Sequence, residues 1–497
     1  MTARSLMVQG VGSDVGKSLL VAGLCRVFSR KGYRVLPFKP QNMSNNAAVA
    51  DLADGSPGGG EIGRAQALQA RACGVRPTVH MNPVLLKPQT DMGSQIILQG
   101  RVFGQAKARD YYDLKPKLLP KVLESFETLR KSADLVLIEG AGSPAEVNLR
   151  SGDIANMGFA EAADVPVALV ADIDRGGVIA TLHGTVDLLE LSERERLVGY
   201  FVNKFRGDKT LFDSAIDILN RKTGLKSFGV IPWFSGASRL PAEDAVALDS
   251  INSCNESVVS PIKIAVPRLG RIANFDDLDP LRSEPDVQVE MIQPGNPLPG
   301  DADLVLLPGS KTTLPDLAAF REQGWDIDLL AHVRRGGHVL GLCAGYQMLG
   351  TTLSDPDGVE GPPGDCPGLS LLQVSTVIGA EKSLREREAT ELSTGESVTG
   401  YEMHMGRTTG PGIETPMIRF SDTGEGDGAI SADGRIMGSY MHGIFSDDAF
   451  RRSYLSRFRA NRETGPAYEK QVEDTLNALA DHLEAHTDIN AIEAAFR

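Results

Sequence analysis

Ser5-Leu6-Met7-Val8-Gln9 runs into Gly10-Val11-Gly12-Ser13-Asp14-Val15-Gly16-Lys17-Ser18, and that into Leu19-Leu20-Val21-Ala22-Gly23-Leu24-Cys25-Arg26-Val27-Phe28. An apolar strand, a glycine-rich turn and an apolar helical run come in the order that a phosphate-binding loop requires. Glycines let the backbone fold its N–H groups around phosphate oxygens, and the helix N-terminus adds partial positive charge. Lys17 is placed to meet the β- and γ-phosphates and Ser18 to hold Mg²⁺, so ATP and Mg²⁺ are the expected cofactors. Gly10, Ser13, Gly16, Lys17 and Ser18 are the candidate nucleotide contacts. Gly10 and Gly16 stand one position further apart than in the usual loop, and a purely structural glycine turn is the plainer alternative.

The rest of the first half has the same texture. Short apolar runs at 34–38, 134–138, 166–170, 197–202 and 228–231 alternate with helical patterns. Strands so uniformly apolar are buried on both faces, as in a parallel sheet covered by helices. The longer loop resembles that of the ATP-using dethiobiotin synthetase group, and other positions fit that group's plan. Glu139 ends an apolar strand, where a carboxylate can reach the Mg²⁺ of bound ATP. Glu61, in Gly60-Glu61-Ile62-Gly63-Arg64-Ala65-Gln66, is a second metal candidate, with a solvated carboxylate at a helix start as its alternative. Asn203-Lys204, after the strand ending Phe201-Val202, resembles the group's base-recognition position; a mere strand-end turn is the other reading.

Between Asp249 and Ser260 the sequence turns polar, and Ile262-Lys263-Ile264-Ala265-Val266 opens a second α/β pattern with runs at 287–291, 303–307, 338–342 and 435–440. The expected organisation is two doubly wound α/β domains: 1–248 with a P-loop, a linker at 249–260, a second domain at 261–450 and a helical tail at 451–497. Gly55–Gly60 and Asp355–Gly364 read as surface loops. Val472, Leu476, Leu479 and Leu483 have helical spacing and read as a docking helix without chemistry. No internal repeat is present.

Gly341-Leu342-Cys343-Ala344-Gly345 follows His338-Val339-Leu340 and precedes the helical Tyr346-Gln347-Met348-Leu349. This is a nucleophile elbow with Cys in place of Ser: flanking glycines permit a sharp strand-to-helix turn that lifts the sulfur out, and the helix N-terminus favours thiolate. A buried structural thiol is the alternative. The base should be a histidine distant in sequence and near in space. His442 lies just past a strand-like run, where an α/β sheet collects its site residues, and His404 is its rival. Pro308-Gly309-Ser310-Lys311 offers backbone N–H groups for an oxyanion hole, Gly309 acting with Ala344. These features resemble class I glutamine amidotransferase domains. That class commonly carries His-x-Glu, yet Ile444 stands two positions after His442, so either a Cys–His dyad suffices or another acid, such as Asp447 or Glu402, takes the role.

The composition sets outer limits. At 497 residues the chain exceeds one hydrophobic core, and its 41% apolar and 23% charged residues are ordinary for a globular protein. No apolar stretch reaches the ~18 residues that span a bilayer. Met1-Thr2-Ala3-Arg4 runs straight into a strand without signal-peptide character, so a cytoplasmic place is expected. Five scattered cysteines, Cys25, Cys73, Cys254, Cys343 and Cys366, indicate neither a disulfide framework nor a zinc site. A net charge of −14 argues against broad nucleic-acid binding, whereas small anions remain within reach of local cations.

Phe38-Lys39-Pro40-Gln41-Asn42-Met43-Ser44-Asn45-Asn46, Glu61 to Gln66, Met81-Asn82-Pro83-Val84-Leu85-Leu86-Lys87-Pro88, Gly152-Asp153-Ile154-Ala155-Asn156 and Ala171-Asp172-Ile173-Asp174-Arg175-Gly176-Gly177 together resemble the cobyric acid synthase family. The resemblance implies ATP- and glutamine-dependent amidation of the b, d, e and g carboxylates of adenosylcobyrinic acid a,c-diamide through acyl phosphates, in adenosylcobalamin biosynthesis. It also implies Lys39, Gln41, Asn42, Asn45, Asn46, Lys87 and Asp153 as substrate contacts, although Asp153 could merely cap a helix. Glutamine and the diamide are the expected partners; self-association is left open. Two other readings are the sister amidase, cobyrinic acid a,c-diamide synthase, and a regulatory P-loop ATPase carrying an inactive amidotransferase-like domain. The Lys-Pro-Gln-Asn-Met segment speaks against the first, and an intact Cys343 and His442 against the second.

Overall fold

The computed structural model describes residues 3–89, 93–243, 260–462 and 465–497; the expected linker, Ser260 excepted, and Cys254 lie outside them. In the first unit β1 (Arg4–Gly10), β2 (Val35–Phe38), β3 (Leu135–Glu139), β4 (Val167–Asp172), β5 (Leu197–Phe205) and β6 (Ser227–Pro232) form one six-stranded sheet in the order β6-β5-β4-β1-β3-β2. Every pairing in it is parallel. The chain order reverses at β1, so the crevice between β3 and β4 opens above the carboxyl end of β1, where the glycine loop sits.

The loop hands over to α1 (Lys17–Arg30), whose first turn carries no acidic residue and whose preceding Gly16 has φ +90°. The helix therefore presents unneutralised N–H groups to the crevice. Leu20, Leu24, Val27 and Phe28 of α1 cover one face of the sheet, against Leu6, Val8, Leu135 and Leu137. On their other side lie Val472, Leu476, Leu479 and Leu483 of α4 (Tyr468–His486). The end of the chain thus returns to the first unit. Gly23 is the point of closest approach, since a Cβ there would collide with Leu483.

The second unit holds β7 (Ile262–Pro267), β8 (Val287–Ile292), β9 (Leu304–Leu307), β10 (His338–Leu342), β11 (Ala429–Ile430) and β12 (Ile436–Ser439), ordered β8-β7-β9-β10-β12-β11 with only the β11–β12 pair antiparallel. The parallel strands are legible in the sequence because they are apolar throughout, whereas the antiparallel pieces are not, since one exposed face dilutes the pattern. Ser375–Glu391 and Ser397–Thr409 form a long hairpin, although Glu381-Lys382-Ser383-Leu384-Arg385-Glu386-Arg387-Glu388 is mostly charged. Gln41–Met43 is a short strand beside Val84–Leu86. Ala47–Asp51 pairs with Gly59–Gly63, so the stretch at 55–60 is an exposed turn at 55–57 whose last two residues enter a strand. Hairpin residues Leu384, Tyr401 and Met403 share a cluster with Ala47, Val49, Leu85 and Ile97, and that cluster joins the two units.

Candidate active site

The elbow forms between β10 and α3 (Ala344–Leu349). Cys343 holds φ +51° and ψ −108°, a conformation that costs a non-glycine residue about 1–3 kcal/mol and persists only where surroundings impose it. They do: a Cβ on Gly345 would collide with the Leu307 carbonyl, and one on Gly341 would lie 2.6 Å from Gly345 backbone. The glycines let α3 lie directly on β9 and β10, which forces the turn at the cysteine between them.

His442 comes from Met441–His442, a short strand paired with Tyr401 and Glu402. Its buried side chain lines one cavity with Cys343, whose Sγ donates to the Met403 carbonyl at 3.7 Å. Its Nδ1 lies 2.7 Å from Asp277 Oδ2, while the Gly443 N–H donates to Asp277 Oδ1 at 2.6 Å. Asn274 Nδ2 is 3.3 Å from Nε2, and the Tyr401 ring stacks on the imidazole at 5.3 Å with planes 21° apart. Burial alone would lower the pKa of His442, but the Asp277 carboxylate and the cysteine sulfur outweigh it and raise it to about 10. Asp277 thus holds the histidine that shares a cavity with the cysteine.

The third acid is therefore neither absent nor one of the two expected. Asp447 caps a helix by accepting from the N–H groups of Ala449 and Phe450. Glu402 is held by Arg387 at 2.7 Å. Ile444 is buried in apolar core. The rival His404 lines the same cavity, but its ring stacks on Tyr440 at 3.7 Å and its Nε2 faces Glu402 at 3.4 Å. Asp277 escaped the sequence reading because it lies 165 positions before its partner, in the turn Phe275–Leu278, with no fixed spacing to mark it.

Gly309 and Ala344 line the cavity at Cys343. A Cβ on Gly309 would stand 2.8 Å from the Ala273 carbonyl and 3.1 Å from His442 Cε1, so only glycine leaves this wall open. Lys87, Lys311, Lys382 and Glu360 line it too. Glu360 belongs to the stretch read as a surface loop, yet it is buried, because Asp355 turns the loop by accepting from the Val359 and Glu360 N–H groups.

Lys87 and Glu61 belong together here. Glu61, expected at the metal, instead takes Lys87 Nζ at 2.9 Å and pairs with Lys382 of the hairpin. Burial would push its carboxyl up, but the two ammonium groups hold it well below the usual carboxylate range. Lys87, expected at the corrinoid, thus stands in the cysteine cavity on a strand of the first unit.

At the glycine loop, Lys17 Nζ donates to the carbonyls of Gly12 and Gly142 at 3.1 and 3.2 Å. Asn203 Nδ2 donates to the Val15 carbonyl at 2.9 Å, and Lys204 reaches the Asp14 carbonyl and Asp172. Both brace the loop in this arrangement, while Ser13 is exposed at its tip and Gly10 ends β1. Ser18 Oγ stands 2.7 Å from Glu139 Oε1 and 2.7 Å from Glu243 Oε2, and Lys39 Nζ bridges the same carboxylates at 2.9 and 2.8 Å. Gln69 donates to the other Glu139 oxygen at 2.6 Å. Ser18, Glu139 and Glu243 are oxygen donors of the kind a hard divalent ion takes, and here the Lys39 ammonium bridges the two carboxylates. Among the described residues no group of three or more His, Cys, Asp or Glu side chains is arranged to hold a metal ion. Glu243 was missed because it borders the polar stretch and follows no periodic pattern.

The amide-rich segment stands beside this set. Asn42 donates to Gln66 at 2.9 Å, Asn46 to the Ala242 carbonyl at 2.9 Å and Asn45 to the Pro88 carbonyl at 3.2 Å, while Gln41 accepts from Tyr111 at 2.6 Å. The side-chain oxygens of Asn45 and Asn46 are buried with no hydrogen-bond partner among the described residues. Asp153 accepts from the N–H groups of Ala155, Asn156 and Gly158 and so braces the turn into the helix Met157–Ala162, whose N-cap residue is Asn156.

A nucleotide loop backed by carboxylates, joined in one chain to a Cys–His–Asp elbow, defines a glutamine-hydrolysing, amide-forming ligase. Residues 6–247 match the CobQ/CobB/MinD/ParA nucleotide binding domain and residues 263–450 the CobB/CobQ-like glutamine amidotransferase domain. The chain is 57% identical over 491 residues to the cobyric acid synthase of Brucella anthropi, 55% over 491 to that of Mesorhizobium japonicum and 56% over 490 to that of Bradyrhizobium diazoefficiens, each comparison covering 99% of both chains. It belongs to the cobyric acid synthase family.

Proposed function

We propose that the chain amidates the b, d, e and g carboxylates of adenosylcobyrinic acid a,c-diamide with ammonia freed from glutamine, at the cost of ATP. The observation that carries this reading is the Cys343–His442–Asp277 series in a cavity that Lys87 of the nucleotide-binding unit also lines. A nitrogen source facing the nucleotide-binding unit fits a ligase and not an isolated amidase.

The chemistry runs in two parts. Cys343 Sγ attacks the side-chain amide carbon of glutamine, and the negative oxygen that develops is met by the N–H groups of Gly309 and Ala344. His442, kept protonated by Asp277, gives its proton to the departing ammonia; then, as base, it takes one from the water that splits the thioester and releases glutamate. In the nucleotide site a substrate carboxylate oxygen attacks the γ-phosphorus of ATP and ADP leaves. Ammonia attacks the resulting acyl phosphate, a proton is lost and phosphate departs, leaving the amide. Lys17 and Lys39 offset the crowding of two anions, Asn203 and Lys204 hold the loop's shape, and Asn42, Asn45 and Asn46 offer donors and acceptors to carboxylates and finished amides. Mg²⁺, when bound, would neutralise phosphate charge, with Ser18, Glu139 and Glu243 the residues whose oxygens would hold it.

Cys343→Ala is the test. It should abolish glutamine-supported amidation, while ammonium chloride still supports it; loss of both in a folded protein would contradict two separable sites.

A further inference from the structure

Arg64 opens α2 (Arg64–Ala72), a helix of the nucleotide-binding unit, yet its side chain points into the glutaminase half. Its Nη2 lies 2.9 Å from Asp276 Oδ2, donates to Tyr401 OH at 2.7 Å, and reaches the Ala47 carbonyl at 2.6 Å. The guanidinium also stands 5.3 Å from the centre of the Tyr401 ring, whose other partner is the His442 imidazole. Asp276 directly precedes Asp277, the acceptor at Nδ1. On the remaining side, the Ala47 N–H donates to Asn274 Oδ1 at 3.4 Å, and Asn274 Nδ2 faces Nε2. The stacking partner and the Nε2 partner of the catalytic histidine are thus both anchored in the other unit.

The same helix reaches the nucleotide site from its next turns. Gln69 donates to Glu139 at 2.6 Å, and Gln66 lies 3.5 Å from the same oxygen. Glu61, three positions before Arg64, holds Lys87 and Lys382 at the glutamine cavity. One short segment, 61–69, therefore touches the cysteine cavity, the support of its histidine and the carboxylate beside Ser18. Proton transfer by a histidine is sensitive to sub-ångström tilt of the ring, since misplacement by about 1 Å can cost about 10²-fold in rate.

We propose that Arg64 is a positioning residue for His442, setting the imidazole through Tyr401 and Asp276, so that glutamine hydrolysis depends on how α2 is seated in the nucleotide-binding unit. This rests on the assignment of Cys343 and His442 as the glutaminase pair. Because Arg64 lines the cleft shared with Asp276, Tyr401 and Gly443, a small cation can reach its place.

The test is steady-state glutamine hydrolysis by the full-length protein with ATP and the diamide present. Arg64→Met should lower kcat for glutamine about tenfold or more while KM for glutamine stays within about twofold. Arg64→Lys should recover part of the loss, and guanidinium ion should restore activity to Arg64→Ala. An unchanged kcat in Arg64→Met, or a fall in Arg64→Ala that guanidinium does not relieve, overturns the inference. Should Arg64→Met fail to fold, Tyr401→Phe removes the phenol that Arg64 holds while keeping the ring, and a wild-type kcat there overturns it equally. Cys343→Ala separates the two layers: if it still hydrolyses glutamine the pair itself is misassigned, whereas if it is inactive and Arg64→Met is unaffected, only the role of Arg64 falls.

Discussion

Asp277 and His442 exchange a 2.7 Å hydrogen bond inside a buried site, and the pair carries a consequence for pH as well as for rate. The folded histidine keeps its proton up to about 10, whereas in the unfolded chain it lets go near 6.5. Folding therefore takes up a proton between these values. The stabilisation is complete below about 6.5 and is lost as pH rises towards about 10. Asp277→Asn removes the charge that raises the pKa, so the fall of Tm with pH across this window should flatten, as differential scanning calorimetry can follow. The same substitution should cut kcat for glutamine hydrolysis by about 10²- to 10⁴-fold, because the imidazole loses its orienting partner. Cys343, His442, Lys17, Ser18 and Glu139 were legible in the sequence, since each sits at a fixed place in a strand-turn-helix unit or at a strand end. Asp277 and Glu243 were not: each belongs to its site through folding alone, and nothing in the neighbouring sequence distinguishes it from an ordinary surface acid.

Elements decide how tightly those residues are held. The glycine loop leaves room for one conformation at Gly16, with φ +90° and the Asn203 carboxamide directly against its Cα hydrogen face. Gly16→Ala should cost about 1–3 kcal/mol of backbone strain and also push away the side chain that braces Val15. ATP affinity measured by calorimetric titration should drop by tenfold or more. Retention of wild-type affinity would show that the loop takes another shape with nucleotide. Parallel strands announced themselves because both faces are buried; the hairpin at 375–409 did not, because one face is charged and exposed. That hairpin nevertheless supplies Lys382 to the glutamine cavity and Tyr401 to the histidine.

On the scale of the molecule, the chain end covers the nucleotide-binding unit and not the amidotransferase unit it follows. The spacing of Val472, Leu476, Leu479 and Leu483 showed a helix with a buried face but could not name its partner, since any apolar surface would satisfy it. Leu479→Ala should destabilise the first unit by about 2–5 kcal/mol through the cavity left against α1. Each unit holds one tryptophan, Trp233 in the first and Trp325 in the second, so a Trp325→Phe background lets fluorescence during urea unfolding report on the first unit alone. The transition that Trp233 reports should move to lower urea, while the one that Trp325 reports in a Trp233→Phe background should not.

The union of two sites in one chain is tested most directly by mass spectrometry of the corrinoid. Adenosylcobyrinic acid a,c-diamide is incubated with ATP, Mg²⁺ and amide-¹⁵N glutamine, with wild-type protein and with Cys343→Ala supplied with ¹⁵N-ammonium. Four successive replacements of OH by ¹⁵NH₂ are expected in both reactions, and none with Cys343→Ala given glutamine. Labelling by that variant from glutamine, or a wild-type product without four labelled amides, would contradict it.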